Sequence, residues 1–269
     1  MIQQKKMAIG CECYVAVRSR FLKEHGIDNE RYHLILLCEN NIGYQNLIKI
    51  VSESWTTGFY TKPRIDRELL EKYHEGIICL TGCLAGEIPK LLLAGEYEKA
   101  KETAFWYEKT FGKNNYFLEI QNHGIEEEIR LIPEMNRLSK DTGIPLVVTN
   151  DVHYVEKNDS EVQKVLISIG TGRTVNDSSG IEFTSNDFYL KTEEEMKRLF
   201  LSYPEAIENT EKIANRCNVS FEYGNTKLPF FKIEGNPDHF KYFRDKCYEG
   251  LKRHYGENPD NIYIERLEY

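Results

Sequence analysis

No run in this chain approaches the ~20 consecutive apolar residues that a membrane-spanning helix needs. The amino end, "MIQQKKMAIG", has basic residues but no apolar core behind them, so no secretory signal is read. No C-x-x-C pair is present. The seven cysteines (Cys11, Cys13, Cys38, Cys79, Cys83, Cys217 and Cys247) are an odd number scattered through strand-like and helix-like segments. That usage points to free thiols and a reducing compartment, with the cytoplasm expected. A phosphate-cradling glycine loop is missing, and so is a G-x-S-x-G elbow, which removes the two commonest nucleotide and serine-hydrolase signatures. Excess positive charge is missing too. With 35 Lys and Arg against 43 Asp and Glu, the net charge is −8. The surface as a whole does not attract nucleic acid by counterion release, so any such contact needs a local basic patch or a neighbouring domain. There is no internal repeat and no low-complexity linker.

What remains is an ordinary globular composition, 41% hydrophobic and 29% charged, arranged as short apolar runs alternating with helical patterns. Strands are expected at 7–15, 32–39, 76–82, 116–121 and 145–151, and helices at 41–55, 87–94, 97–111, 125–141 and 159–169. The fourth helix of that series is expected to break near Pro133, which cannot donate within a helix. Strand and helix in alternation imply α/β architecture, with parallel strands and right-handed crossovers. Runs as apolar as "LILL" and "LVV" suit strands covered on both faces. From residue 193 the pattern is helical: 193–201, 204–217, then a loop at 222–231 and a helix at 236–255. The chain stops in the amphipathic "NIYIERLEY". Both ends read as cut.

Ligands of parallel α/β folds bind at the carboxyl ends of the strands, and metal-capable residues gather there. In "IPLVVTNDVHY", Asp151 and His153 are two apart and would share a strand face, offering a hard oxygen and an imidazole suited to zinc or manganese. Glu12 sits between Cys11 and Cys13 on an alternating strand, so the carboxylate faces away from the thiols. A salt bridge is its alternative reading. Cys83 follows "ICLTG" as a soft candidate ligand, although a lone cysteine is more often a small buried hydrophobe. His33 is awkward, since it begins its strand where the others end theirs. His123, in "IQNHG", follows a strand and ranks behind these; His25, His74, His239 and His254 fall in loops or helices with no evident role. The "CEC" spacing is too tight for a disulfide and too short for a zinc knuckle.

The segments "GCECYV", "YHLILLCENNIGYQNLIKIVS", "GFYTKPRIDRELLEKYHEGIICLTGCLAGEIPKLL", "LEIQNHG", "GIPLVVTNDVHY", "FYLKTEEEM", "PEAIENTEKIANRCNV" and "LPFF" follow one another in this order. In that order they resemble the amino-terminal PHP (polymerase and histidinol phosphatase) domain of bacterial replicative DNA polymerase III α subunits. The resemblance runs from residue 7 to 269, with 16–31 idiosyncratic. It implies a distorted (β/α)7 TIM-like barrel with a zinc or manganese centre at its mouth, here lacking about its first two βα units, and then a mostly helical carboxyl-terminal segment. Residues 1–221 would be the partial barrel and 222–269 the lead-in to the polymerase palm and thumb region. Carried over by motif, the metal ligands are the glutamate of "GCE", Glu12; the histidine of "YHL", His33; Cys83 after a middle strand; and the terminal D-x-H, Asp151 and His153. The family's two earlier ligand motifs have no counterpart here, so the multinuclear centre of its metal-dependent phosphoesterase chemistry is not expected to form.

For the parent protein the resemblance implies a DNA-directed DNA polymerase, a nucleotidyltransferase of DNA replication. The magnesium-binding catalytic aspartates of that enzyme lie outside this chain, which therefore carries no catalytic residue for polymerisation. Implied partners are DNA through the parent polymerase, the proofreading exonuclease and the sliding clamp, with no membrane. The alternative is a non-catalytic scaffold that stabilises the polymerase and docks other subunits; a free-standing metal-dependent hydrolase is the third reading. Loss of two strands would leave the 7–15 strand partly exposed and prone to pair with another chain.

Overall fold

The computed structural model describes residues 7–175, 185–226, 228–235 and 238–269. The chain divides into two compact units, Met1–Phe221 and Glu222–Tyr269. The first is α/β. Its strands are β1 (Gly10–Ala16), β2 (Arg31–Cys38), β3 (Arg64–Ile65), β4 (Ile77–Leu80), β5 (Tyr116–Ile120) and β6 (Leu146–Val148). They form one sheet in the order β3-β1-β2-β4-β5-β6. The helices are α1 (Asn41–Thr56), α2 (Arg67–Tyr73), α3 (Glu87–Leu93), α4 (Tyr97–Phe111), α5 (Glu126–Thr142), α6 (Ser160–Thr171), α7 (Glu193–Leu199) and α8 (Pro204–Arg216).

Both faces of the central strands are covered, as their unbroken apolar runs require. One face sends Cys13, Val15, Leu34, Leu36, Cys38 and Cys79 into the main core with α1, α3, α4 and α5. The other sends Ile78, Leu80, Phe117 and Val147 against Ile213 and Cys217 at the end of α8. Asn209 and Thr210 of α8 also donate to the Leu146 and Val148 carbonyls, 2.8 and 2.7 Å, so the outer edge of β6 is capped by side chains. At an interior strand of the sheet, Gly43 of α1 touches the turn before β4. A Cβ there would lie 1.8 Å from the Gly76 carbonyl oxygen, so only glycine admits this approach.

Three expectations are corrected. The strands are not all parallel: β2 runs antiparallel to β1 and to β4, while β1 with β3, β4 with β5 and β5 with β6 are parallel. The reason is local, since the 17–30 connection from β1 to β2 contains no helix and so returns the chain in the opposite sense. The helix at 125–141 does not break. Leu131, Met135 and Leu138 bury one stripe on both sides of Pro133, which itself faces outward. The carbonyl that Pro133 leaves without its N–H belongs to Ile129, an exposed residue, where water can serve it. Finally, β3 and α2 were not anticipated in the 57–75 stretch. Asp66 caps α2, accepting from the Leu69 N–H.

β3 reaches only Tyr14 and Val15 of β1. Among the described residues, Gly10–Cys13 therefore have no strand neighbour on that side, and Gly10 and Glu12 are exposed. Open strand edges template pairing with another chain. The purified chain is expected to run larger than a monomer in light scattering; a monodisperse monomer with a high melting temperature would refute this.

The second unit is a helical pair, α9 (His239–Tyr255) and α10 (Asn261–Glu268). An Arg244–Glu268 ion pair at 2.6 Å and stacked Tyr255 and Tyr263 rings hold the two together. The helix expected from 236 begins at His239, with 236 and 237, like residue 227 of the preceding loop, outside the described residues. No helix among the described residues is long and apolar enough to cross a membrane.

Candidate metal-binding rim

The antiparallel run of β2 removes the difficulty with His33. Because β2 points the other way, its first residues reach the rim where β4, β5 and β6 end. His33 is anchored there by its N–H, which donates to the Ala85 carbonyl at 3.1 Å. Across the β1–β2 register Tyr14 opposes His33 and Glu12 opposes Ile35, so Glu12 and His33 are diagonal neighbours on one face. Their side chains meet, His33 Nδ1 lying 3.2 Å from Glu12 Oε1. Cys83 Sγ approaches the same nitrogen at 3.6 Å. Gly82 makes this possible: its φ of +81° turns the chain sharply, and a Cβ there would lie 2.8 Å from the His33 carbonyl oxygen.

Asp151 and His153 do come together, but not as strand neighbours. β6 ends at Val148, and Asp151 has a left-handed φ of 42°. Alternation along an extended strand is therefore not what pairs them. His153 Nδ1 donates to the Asp151 backbone carbonyl at 2.8 Å, and its N–H to the Phe188 carbonyl at 2.9 Å. The same His153 Nδ1 lies 3.9 Å from Asp151 Oδ1. A turn, built from hydrogen bonds, does the work assigned to a strand.

Between these two groups lies a polar set that the sequence reading passed over, apart from His123. Glu119, Gln121 and His123 alternate along the end of β5 and beyond it, and all three are buried. Glu119 Oε2 accepts from the Gly82 N–H at 2.9 Å, and Oε1 from the Thr149 hydroxyl and the Gln121 amide. The Glu119 N–H donates to Thr81 Oγ1 at 2.8 Å. One buried carboxylate thus ties the ends of β4, β5 and β6 together beside Cys83 and Asp151. The signal was available: polar residues at period two, closing an otherwise apolar strand.

Burial raises the Glu119 carboxyl to about 7, against the hydrogen bonds that favour its charge, and Asp151 nearby pushes it the same way. Burial likewise lifts the Cys83 thiol to about 11, with Asp151 and Glu12 adding to it. His33 is pulled below its ordinary value by burial, which outweighs the opposing pull of Glu12. The rim at neutral pH therefore presents a thiol rather than a thiolate and a neutral imidazole.

The donor types, two carboxylates, two imidazoles and a sulfur, are those that zinc or manganese takes. Their arrangement is not. Glu12 and Cys83 both converge on one nitrogen of His33, while Asp151 and His153 meet each other. Among the described residues no three His, Cys, Asp or Glu side chains are grouped so as to hold an ion. The residues present do not make a coordination shell as they stand.

Residues 2–123 match the PHP domain family. The chain is further similar, over nearly all its length, to DNA polymerase III subunit alpha from several bacteria. It is 46% identical to that of Treponema pallidum over 262 residues (96% of this chain, 22% of that protein). It is 41% identical to that of Borreliella burgdorferi over 256 residues (93% and 22%). With the Thermus aquaticus protein it shares 37% over 268 residues (96% and 21%). The chain thus spans about a fifth of the length of these relatives.

Proposed function

We propose that this chain is the PHP-domain part of a bacterial DNA polymerase III α subunit, the DNA-directed DNA polymerase of replication, and that it serves as a non-catalytic platform there. The observation that carries the reading is 46% identity over 96% of the chain to such a subunit. Residues 222–269 are then the lead-in to the palm and thumb region. DNA is met through the parent polymerase, whose magnesium site lies outside this chain, in the cytoplasm. The rim favours a platform because, among the described residues, no three metal-capable side chains are grouped so as to hold an ion. The partners proposed are the proofreading exonuclease and the sliding clamp. Co-elution of the purified chain with the exonuclease subunit is expected in size-exclusion chromatography; elution of the two as separate peaks at micromolar concentration counts against the platform.

The second reading is metal-dependent phosphodiester hydrolysis at the rim, and the contacts of Glu12 and Cys83 with His33 favour it. In that reading Glu12, His33, Cys83, Asp151 and His153 hold zinc or manganese. Metal analysis of the purified chain and of His153→Ala separates the two. The platform predicts less than stoichiometric metal in both. Stoichiometric zinc or manganese, lost in the variant, would support the hydrolase reading instead.

A further inference from the structure

His123 is held at the end of β5 in a way that burial for packing alone does not require. The residue is 1% exposed. Its Nδ1 lies 2.8 Å from Glu128 Oε1, and its backbone N–H donates to Glu128 Oε2 at 2.6 Å. Glu128, in the first turn of α5, is itself buried, so the two close a short bracket between strand and helix. On the far side of the ring, Nε2 lies 2.8 Å from the Asn150 carbonyl oxygen. A carbonyl only accepts, so Nε2 carries a hydrogen and donates it. The ring also lies flat on Phe188, with centroids 4.0 Å apart and planes 9° from parallel. Phe188 in turn accepts the His153 N–H through its carbonyl and stands edge-on to the His153 ring at 5.3 Å.

These contacts grip both flanks of one short segment: the carbonyl just before Asp151, and the aromatic residue on which His153 rests. Between the two grips Asp151 adopts its left-handed φ of 42°, a conformation uncommon outside glycine, which the flanking contacts hold in place. Asn150 is held by its side chain as well, Nδ2 donating to the Tyr189 carbonyl and Oδ1 accepting from Lys191. Only His123, among the described contacts, fixes its carbonyl. We infer that His123, oriented by Glu128, is a positioning residue that holds the Asp151–His153 turn at the rim through the Asn150 carbonyl and Phe188. The inference rests on reading Asp151 and His153 as the groups the rim uses. Its consequence reaches the His153 ring. With the turn held, Nδ1 donates to the Asp151 carbonyl, which places the lone pair of the neutral imidazole on Nε2. With the turn released, that choice of tautomer is lost.

The test uses the full chain and three variants. His123→Phe keeps a flat ring against Phe188 but removes the donor to Asn150. Glu128→Gln keeps the bracket, its amide oxygen accepting from the His123 N–H and its amino group donating to Nδ1. Glu128→Ala opens the bracket while leaving the ring in place, and gives the same reading if a phenylalanine beside an unpartnered Glu128 does not fold. Amide hydrogen exchange at His153 and Tyr154, compared with Ile77–Leu80 in β4, reports the turn; imidazole nitrogen shifts of His153 report the tautomer. His123→Phe and Glu128→Ala are expected to speed exchange at His153 and Tyr154 by about tenfold with β4 unchanged, and to turn the His153 tautomer into a mixture. Glu128→Gln is expected to restore both. Unchanged exchange and tautomer in His123→Phe and Glu128→Ala would overturn the inference. Zinc titration of the unsubstituted chain distinguishes the underlying reading: no uptake, with the expected exchange pattern, removes a metal role for the rim and leaves the positioning intact.

Discussion

Replacing Arg64 with methionine should cost the first unit roughly 3–5 kcal/mol, because buried carbonyls left without a donor cost about 1–3 kcal/mol each. Arg64 is 1% exposed, and its guanidinium donates to four backbone carbonyls: Gly58 at 3.1 Å, Asp28 at 2.9 Å, Arg20 at 3.0 Å and Leu22 at 2.8 Å. Among the described residues no carboxylate touches it directly. Burial pulls its pKa down, and the charges of Asp28 and Asp66 oppose that from a distance. Three of the four carbonyls belong to the 17–30 connection, which has no helix or strand to satisfy its backbone. Methionine fills the volume and supplies no donor, so buried carbonyls lose their partners at about 1–3 kcal/mol each where water cannot reach them. Leu22 is exposed and its carbonyl can turn to solvent, which keeps the total below a simple sum. Urea unfolding followed by circular dichroism reads the loss, and amide exchange should show residues 20–30 opening first. A loss below about 1 kcal/mol would mean that the loop holds itself.

That loop also marks where sequence reading ran out. The helical stripes at 41–55, 97–111 and 204–217 and the strands at 32–39 and 116–121 were legible because burial imposes a period of 3.6 or 2 on them. The direction of β2 was not legible. It depends on how the 17–30 segment folds back, and that is decided by partners far along the chain: Arg20 with Asp66 at 2.7 Å, and Arg64 with the loop carbonyls. His33 looked misplaced for the same reason, although its contact with Glu12 follows at once from the register. β3 has two residues and α2 seven, too few for either period to stand out. At the rim, D-x-H placed Asp151 and His153 together for a reason the structure replaces. The left-handed Asp151 stands between flanks gripped by His123, a tertiary arrangement that no local pattern announces. Glu119 is the opposite case, legible as a polar residue at an inward strand position but outweighed by the apolar run in which it stands.

Glu119 should make the stability of the fold fall as pH rises from 5 to 7. Its carboxyl is raised to about 7 in the folded chain from the ordinary 4.5, chiefly by burial. At a pH below 4.5 both folded and unfolded states hold the proton, and the residue contributes no pH dependence. Between 4.5 and about 7 the unfolded state releases it while the folded state keeps it, so the folded state binds more protons and loses stability with each step in pH. Above about 7 both states are ionised and the loss is complete, on the order of 3 kcal/mol for a shift of this size. In the protonated form, Oε2 still accepts from the Gly82 N–H and the hydrogen on Oε1 can be given to Thr149, so the three strand ends stay tied. Glu119→Gln should keep this neutral geometry at every pH, with its oxygen toward Gly82 and its amino group toward Thr149. Its own hydrogen-bond mismatch with the Gln121 amide adds a constant cost, which separates cleanly from the pH-dependent part. Urea midpoints of the two proteins at pH 5, 6, 7 and 8 should therefore diverge in favour of the glutamine as pH rises, by some 1–3 kcal/mol. Parallel curves would show that Glu119 ionises in the folded chain as readily as in the unfolded one, and that a charged carboxylate, not a neutral acid, bridges Gly82 and Thr149.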